Sequence, residues 1–153
     1  MKFPATRLVV PVDFSDPSMQ ALDAAHGLTN GPSDVFILYV IDELTNLNPA
    51  TLWTEDDDRL ERATAALKEH AARHGLADAH VTVTRSIGNP AGAIAEYAEA
   101  VQADCIAISS NGRTGLDRFA LGSVAERVVR LAKCPVLVFK KQSRRSEPPD
   151  DLP

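Results

Sequence analysis

Cysteine is scarce in this chain: two of 153 residues, Cys105 and Cys134. A disulfide-stapled fold needs more, and no CxxC or mixed Cys/His spacing points to a metal centre. Both thiols lie in apolar surroundings and are expected to be buried and structural. Positive charge is also in deficit. The 16 Lys/Arg against 21 Asp/Glu leave a net charge of -5, the wrong balance for a chain whose main partner is a nucleic-acid backbone. No apolar run approaches the ~18–20 residues of a membrane span. The opening segment MKFPATRLVVPVDFS has too short an apolar run for a secretion signal, so no membrane partner and a cytoplasmic location are expected. His70 and His74 stand four apart on one helical face without the acidic neighbour of an HExxH site. They are expected to lie on a solvated helix face.

What is present is ordinary for a globular protein: 44% hydrophobic and 24% charged residues. The length suits one domain burying roughly 70% of its unfolded surface. That domain is expected over residues 1–140, with the charged, proline-rich residues 141–153 as a disordered tail. Five short apolar runs, at residues 7–12, 34–40, 80–84, 104–108 and 135–139, alternate with helical patterns. Four of them are nearly continuous in apolar character, as strands buried on both faces should be. The third, VTVT, alternates and reads as an edge strand with one wet face. Helices are expected from Asp16-Pro17, over about 56–74 with Gly75 ending the second, after Asn89-Pro90, and from Gly122-Ser123 to Lys133. This alternation predicts an α/β fold: a doubly wound, five-stranded parallel sheet with four helices. In such sheets a ligand lies beyond the carboxyl ends of the strands, at the point where strand order reverses. The long irregular segment 41–54 sits at such a strand end, as functional lids and interface pieces do.

Two strand ends bring polar groups to that rim. The first runs Pro11-Val12-Asp13-Phe14-Ser15, and the fourth runs Ile108-Ser109-Ser110-Asn111-Gly112-Arg113. Asp13 is suited to accept hydrogen bonds from a ribose or base, or to hold a metal through water; equally, Asp13 or Ser15 could simply cap the first helix. Gly112 permits a close approach of backbone to ligand. Gly122, Ser123 and Val124 open an amphipathic helix whose N–H groups and positive dipole end favour an anion. Ser123 with Glu126 three residues on also fits a capping box. Arg113 and Arg118 flank the loop, Tyr39 and Trp53 could stack on a base, and Trp53 in segment 41–54 equally suits packing or an interface. Nucleotide phosphate is the anion this layout predicts.

The segments VPVDFSDPS, GNPAGAI and SSNGRTGLDRFALGSVAERVVRLAKCPVLVF, in order along residues 5–140, resemble the universal stress protein family. That family's ATP-binding pattern is Gly, two residues, Gly, nine residues, then Gly-Ser or Gly-Thr. Here Gly112 and Gly122-Ser123 supply the later elements, and Ser109 occupies the first glycine's place. The resemblance implies strand order 3-2-1-4-5, an adenine nucleotide as ligand (ATP, with ADP or AMP as alternatives), and Mg²⁺ accompanying it. It places adenosine near Pro11, Val12, Asp13 and Val40, and phosphates over Ser109, Ser110, Asn111, Gly112, Arg113, Gly122, Ser123 and Val124, beside Ile108 and Ser15. It further implies a homodimer joined along the last strand, Pro135 to Phe139, an apolar edge that invites pairing, and a stress-response role with little or no hydrolysis.

Three other readings stand beside this one. An ATP-cleaving enzyme on the same sheet would act slowly through a metal at Asp13, for the chain has no Walker loop with its GKS or GKT and no evident base beside a nucleophile. A receiver-like phosphoacceptor domain requires an aspartate ending the third strand, and VTVTRSIG has none. A protein-binding dimer that takes no nucleotide is supported by Ser109 alone.

Overall fold

In the computed structural model the described residues are 3–46, 56–111 and 121–140. Trp53, Gly112, Arg113, Arg118 and residues 141–153, named above, lie outside them. The elements alternate as anticipated: β1 (Leu8–Val12), α1 (Asp16–Ala25), β2 (Val35–Asp42), α2 (Asp56–Arg73), β3 (His80–Ser86), α3 (Pro90–Ala100), β4 (Cys105–Ser109), α4 (Ser123–Leu131) and β5 (Val136–Phe139). All sheet pairings are parallel, in the order β3-β2-β1-β4-β5.

Strand alternation divides the apolar residues between two layers. Leu8, Val10, Ile37, Cys105 and Ala107 face α1 and α2 with Leu22, Leu67 and Leu76. Val9, Leu38, Ile106 and Ile108 face α3 and α4 with Ile94, Ala98 and Val128. Leu8, Leu22, Ile37, Leu38 and Ile106 are completely buried, each contributing about 1.5–3 kcal/mol of burial. The edge strands differ from the centre. No residue of β3 or β5 is fully buried, which corrects the expectation that the fifth run is covered on both faces: among the described residues it is the last strand of the sheet, with a neighbour on one side only.

Local chemistry sets the element ends. Ser15 caps α1 and Asn89 caps α3, each followed by proline in the first helical turn. Gly75 adopts φ +71 after α2, and the Leu76 N–H returns to the Ala71 carbonyl at 2.8 Å. His70 and His74 do not form a solvated face. The His70 ring meets Phe14 edge-on at 5.5 Å, and His74 Nδ1 pairs with Asp23. Cys105 is buried as expected, whereas Cys134 is only partly so; burial pushes both thiols above their ordinary pKa.

At the amino end of the sheet, Asp104 Oδ2 accepts hydrogen bonds from Thr6 N (2.8 Å), Thr6 Oγ1 (2.8 Å) and Arg7 N (3.0 Å). These bonds, those from Thr6 foremost, hold its carboxyl below the usual range.

Pro11 shapes the opposite end. The β1–β2 ladder runs to Val12 and Tyr39, but β1–β4 pairing stops at Val9 and Ile106. Proline has no N–H to offer, and beyond Val9 the two central strands are free to part.

Candidate functional site

The turn after β1 is closed by its own short side chains. Asp13 Oδ1 accepts from the Ser15 N–H at 3.0 Å and from the Ser15 hydroxyl. Ser15 Oγ in turn accepts from Ser18 N at 3.4 Å, so Ser15 is the helix cap and Asp13 holds the cap in place. Ser18 Oγ accepts from Asp13 N at 3.2 Å and donates to the Ser15 carbonyl at 2.9 Å. Phe14 between them adopts φ +61, a left-handed conformation disfavoured for a side chain of this size. Its ring packs edge-on against Tyr39 at 5.0 Å. Tyr39 thus packs its ring in the α1/α2 layer, and it also lines the cleft between the two turns.

The turn after β4 is built on a close approach of two backbones. Gly122 N donates to the Ser110 carbonyl at 2.7 Å, and a Cβ on Gly122 would lie 2.8 Å from that oxygen. Only glycine fits without displacement. Gly122 is also the N-cap of α4, with no side-chain capping bond. The capping box expected from Ser123 and Glu126 does not form. The helix starts one residue earlier than that motif requires, and Glu126 pairs with Arg130 at 2.8 Å instead. The first intrahelical bond is Glu126 N to the Gly122 carbonyl at 2.9 Å, which leaves the N–H groups of Ser123, Val124 and Ala125 without an intrahelical acceptor. Ser109 Oγ donates to the Asn111 carbonyl at 3.0 Å. Asn111 Oδ1 is buried with no hydrogen-bond partner among the described residues.

Between these two turns lies a cleft of about 280 Å³, at the small end of the roughly 300–1,000 Å³ usual for ligand sites. Pro11, Val12, Asp13, Val40, Ile108, Ser109, Ser110, Gly122, Ser123 and Val124 all line it. Ser15 and Asn111 do not; Ser15 stands behind Asp13. Sequence reasoning missed Ser18, Leu38, Asp42, Pro90, Ile94 and Ala125, which also line it. The period-2 signal in β2 could have supplied Leu38 and Asp42, which share a strand face with Val40. Asp42 Oδ1 ties the end of β2 to the next loop, accepting from Leu44 N (3.1 Å) and Gly88 N (2.8 Å).

Chemically, the cleft is divided. On the α4 side are main-chain N–H groups without an acceptor among the described residues, at the positive end of a helix dipole and suited to an anion. Opposite are apolar walls from Leu38, Val40, Ile94 and Ile108, and the carboxylates of Asp13 and Asp42, suited to a planar apolar group bearing hydroxyl or amino donors. Among the described residues no three His, Cys, Asp or Glu side chains gather as a metal site. Asp13 and Asp42 are the carboxylates that would be available to a Mg²⁺ ion accompanying a ligand.

The universal stress protein family profile matches residues 4–140. Universal stress protein MJ0531 of Methanocaldococcus jannaschii is 34% identical over 145 residues, covering 90% of this chain and 84% of that protein. Among solved structures, hypothetical protein MJ0577 superposes with a TM-score of 0.75 at 27% identity, over 90% of this chain and 97% of that one. The universal stress protein from Archaeoglobus fulgidus, solved in complex with dAMP, has the same fold, with a TM-score of 0.55 at 23% identity over 87% of this chain and 96% of that one.

Proposed function

The chain belongs to the universal stress protein family, and we propose that it is a dimeric adenine-nucleotide-binding regulatory module, with ATP as ligand, rather than a fast catalyst. One observation carries this reading: the uncapped start of α4 faces a cleft whose other walls are apolar and carboxylate-bearing. Phosphates belong on the N–H groups of Ser123, Val124 and Ala125 and on residues 109–113, including Gly112 and Arg113. Adenosine belongs against Val12, Val40 and Ile108 with its hydroxyls toward Asp13, and Mg²⁺ on the phosphates. The dAMP complex of a protein with this fold supports an adenylate as the chemical class. Ser109, the departure from the family pattern, turns its hydroxyl back to Asn111 and leaves the cleft open.

Dimerisation is assigned to β5, whose half-exposed apolar edge has no partner strand on its outer side among the described residues. Sedimentation at micromolar concentration should give twice the chain mass; a monomer would remove the dimer from the proposal.

Calorimetric titration with ATP and Mg²⁺ is the direct test. Binding in the micromolar range or tighter is expected, with phosphate release far slower than nucleotide exchange. No heat up to millimolar ATP would leave the protein-binding dimer as the reading, and rapid multiple-turnover phosphate release would favour the hydrolase.

A further inference from the structure

We propose that the chain has a second ligand site, in the α1/α2 layer, that takes a small aromatic carboxylate: the acid group on Arg59 and Arg62 of α2, the ring against Phe14, Tyr39 and Ile41. This site is separate from the nucleotide cleft and does not depend on that reading.

A cavity of about 380 Å³ lies between α2 and the sheet, within the range usual for ligand sites. Its floor comes from β2. Tyr39 and Ile41 share one strand face, whereas Leu38 and Val40 turn to the nucleotide cleft. Among the described residues only Tyr39 borders both hollows. The roof is one stripe of α2, on which Arg59, Arg62, Ala63, Ala66 and His70 recur at spacings of three and four. The two alanines leave the hollow open, since a longer side chain at either place would fill it.

Phe14 supplies the end wall. Its φ of +61 sets its ring edge-on to Tyr39 at 5.0 Å and to His70 at 5.5 Å. A glycine would make the same turn without strain, and strain of this kind collects at ligand-binding places. The phenyl ring held there is what closes the cavity.

The charges select the occupant. Arg59 Nη1 lies 3.7 Å from Glu43 Oε2, and Arg85 shares that carboxylate at 3.7 Å. Arg62 Nε donates to the Asp58 carbonyl at 3.1 Å, and no carboxylate among the described residues pairs with its guanidinium. A small excess of positive charge thus borders a hollow walled by rings. A single carboxylate on a planar apolar body matches both features, with the acid on a guanidinium fork and the ring stacked or edge-on to its neighbours. A polyphosphate brings too much charge, and a neutral ring leaves the arginines unmatched.

The probe is 2-naphthoate, with 2-naphthamide as its uncharged counterpart, titrated calorimetrically into the wild type, Arg62→Gln and Ala66→Leu. The wild type is titrated with and without saturating ATP·Mg²⁺, and unliganded melting temperatures check folding. Naphthoate should bind at submillimolar concentration. Naphthamide, and naphthoate on Arg62→Gln, should bind about tenfold more weakly or worse, from loss of a charge-assisted hydrogen bond. Ala66→Leu fills the hollow and should not bind; Arg62 is exposed, so its variant tests the site even if Ala66→Leu does not fold. No naphthoate binding at several millimolar, equal affinity for acid and amide, or unchanged affinity in Arg62→Gln would each overturn the proposal. Displacement of naphthoate by ATP would place it in the nucleotide cleft and overturn it too. A wild type that binds naphthoate but no ATP would uphold this site and remove the nucleotide reading.

Discussion

Two helices begin at the rim of the same cleft and begin in opposite ways. At α3, Asn89 Oδ1 accepts from Gly92 N at 3.1 Å, Ala93 N reaches the Asn89 carbonyl at 3.2 Å, and Pro90 has no N–H to satisfy. The start of α1 repeats the device with Ser15 and Pro17. At α4 there is neither proline nor capping side chain, and Gly122 stands where the cap would be. The difference follows from packing. Gly122 lies against the Ser110 carbonyl with no room for a Cβ, so the contact that docks α4 onto β4 also forbids the side chain that would have capped it. A helix start made self-sufficient serves as a wall; one left open by a steric constraint serves as a binding surface.

The most severe way to break this contrast is Gly122→Ala. A methyl group 2.8 Å from a main-chain oxygen must push α4 away from β4, a form of overpacking that destabilises by about 1–3 kcal/mol. Denaturant unfolding should show a lower midpoint, and ATP heat should fall with it, because the N–H groups move with the helix. A wild-type midpoint would mean that the backbones do not approach as described.

Asn89→Ala at α3 should separate stability from binding. Loss of the cap costs about 1 kcal/mol, read as a lower urea midpoint. Nucleotide affinity in the folded variant should be retained, because the cap bond is internal to the helix start. A large loss of affinity with little change in midpoint would transfer the anion site from α4 to α3.

Much of this contrast was legible in the sequence, and the parts that were not share a cause. Alternating runs specify a parallel sheet, and the motif resemblance specified its order, because both are carried by residues near one another in the chain. Gly122 at the start of α4 was visible for the same reason. The cap at α4 was misread because Ser123 and Glu126 satisfy a local pattern, whereas the helix start is set by Ser110, twelve positions upstream. The tie of Asp42 to the Gly88 N–H was not legible, because the two lie 46 residues apart. His74 was assigned to solvent although Asp23, 51 residues distant, pairs with it. Sequence patterns report neighbours along the chain; these contacts exist only once strands and helices have docked.

The mildest intervention sharpens the comparison most. Ser123 is the exposed first residue of α4, and Ser123→Asp would place a negative charge at the positive end of that helix. A carboxylate in the first turn stabilises by about 0.3–1 kcal/mol at low ionic strength, so the unliganded protein should melt slightly higher. The same charge occupies the field that attracts phosphate and repels a second anion, so ATP affinity should fall while adenosine affinity holds. Stability and affinity would then move in opposite directions, and both changes should shrink as salt is added, because exposed charges are screened within about 10 Å at 0.1 M. The equivalent charge at α3, whose start is already closed by Asn89, should leave nucleotide affinity nearly unchanged. If ATP binding survived Ser123→Asp at low salt, the anion would have to lie elsewhere than at the open end of α4.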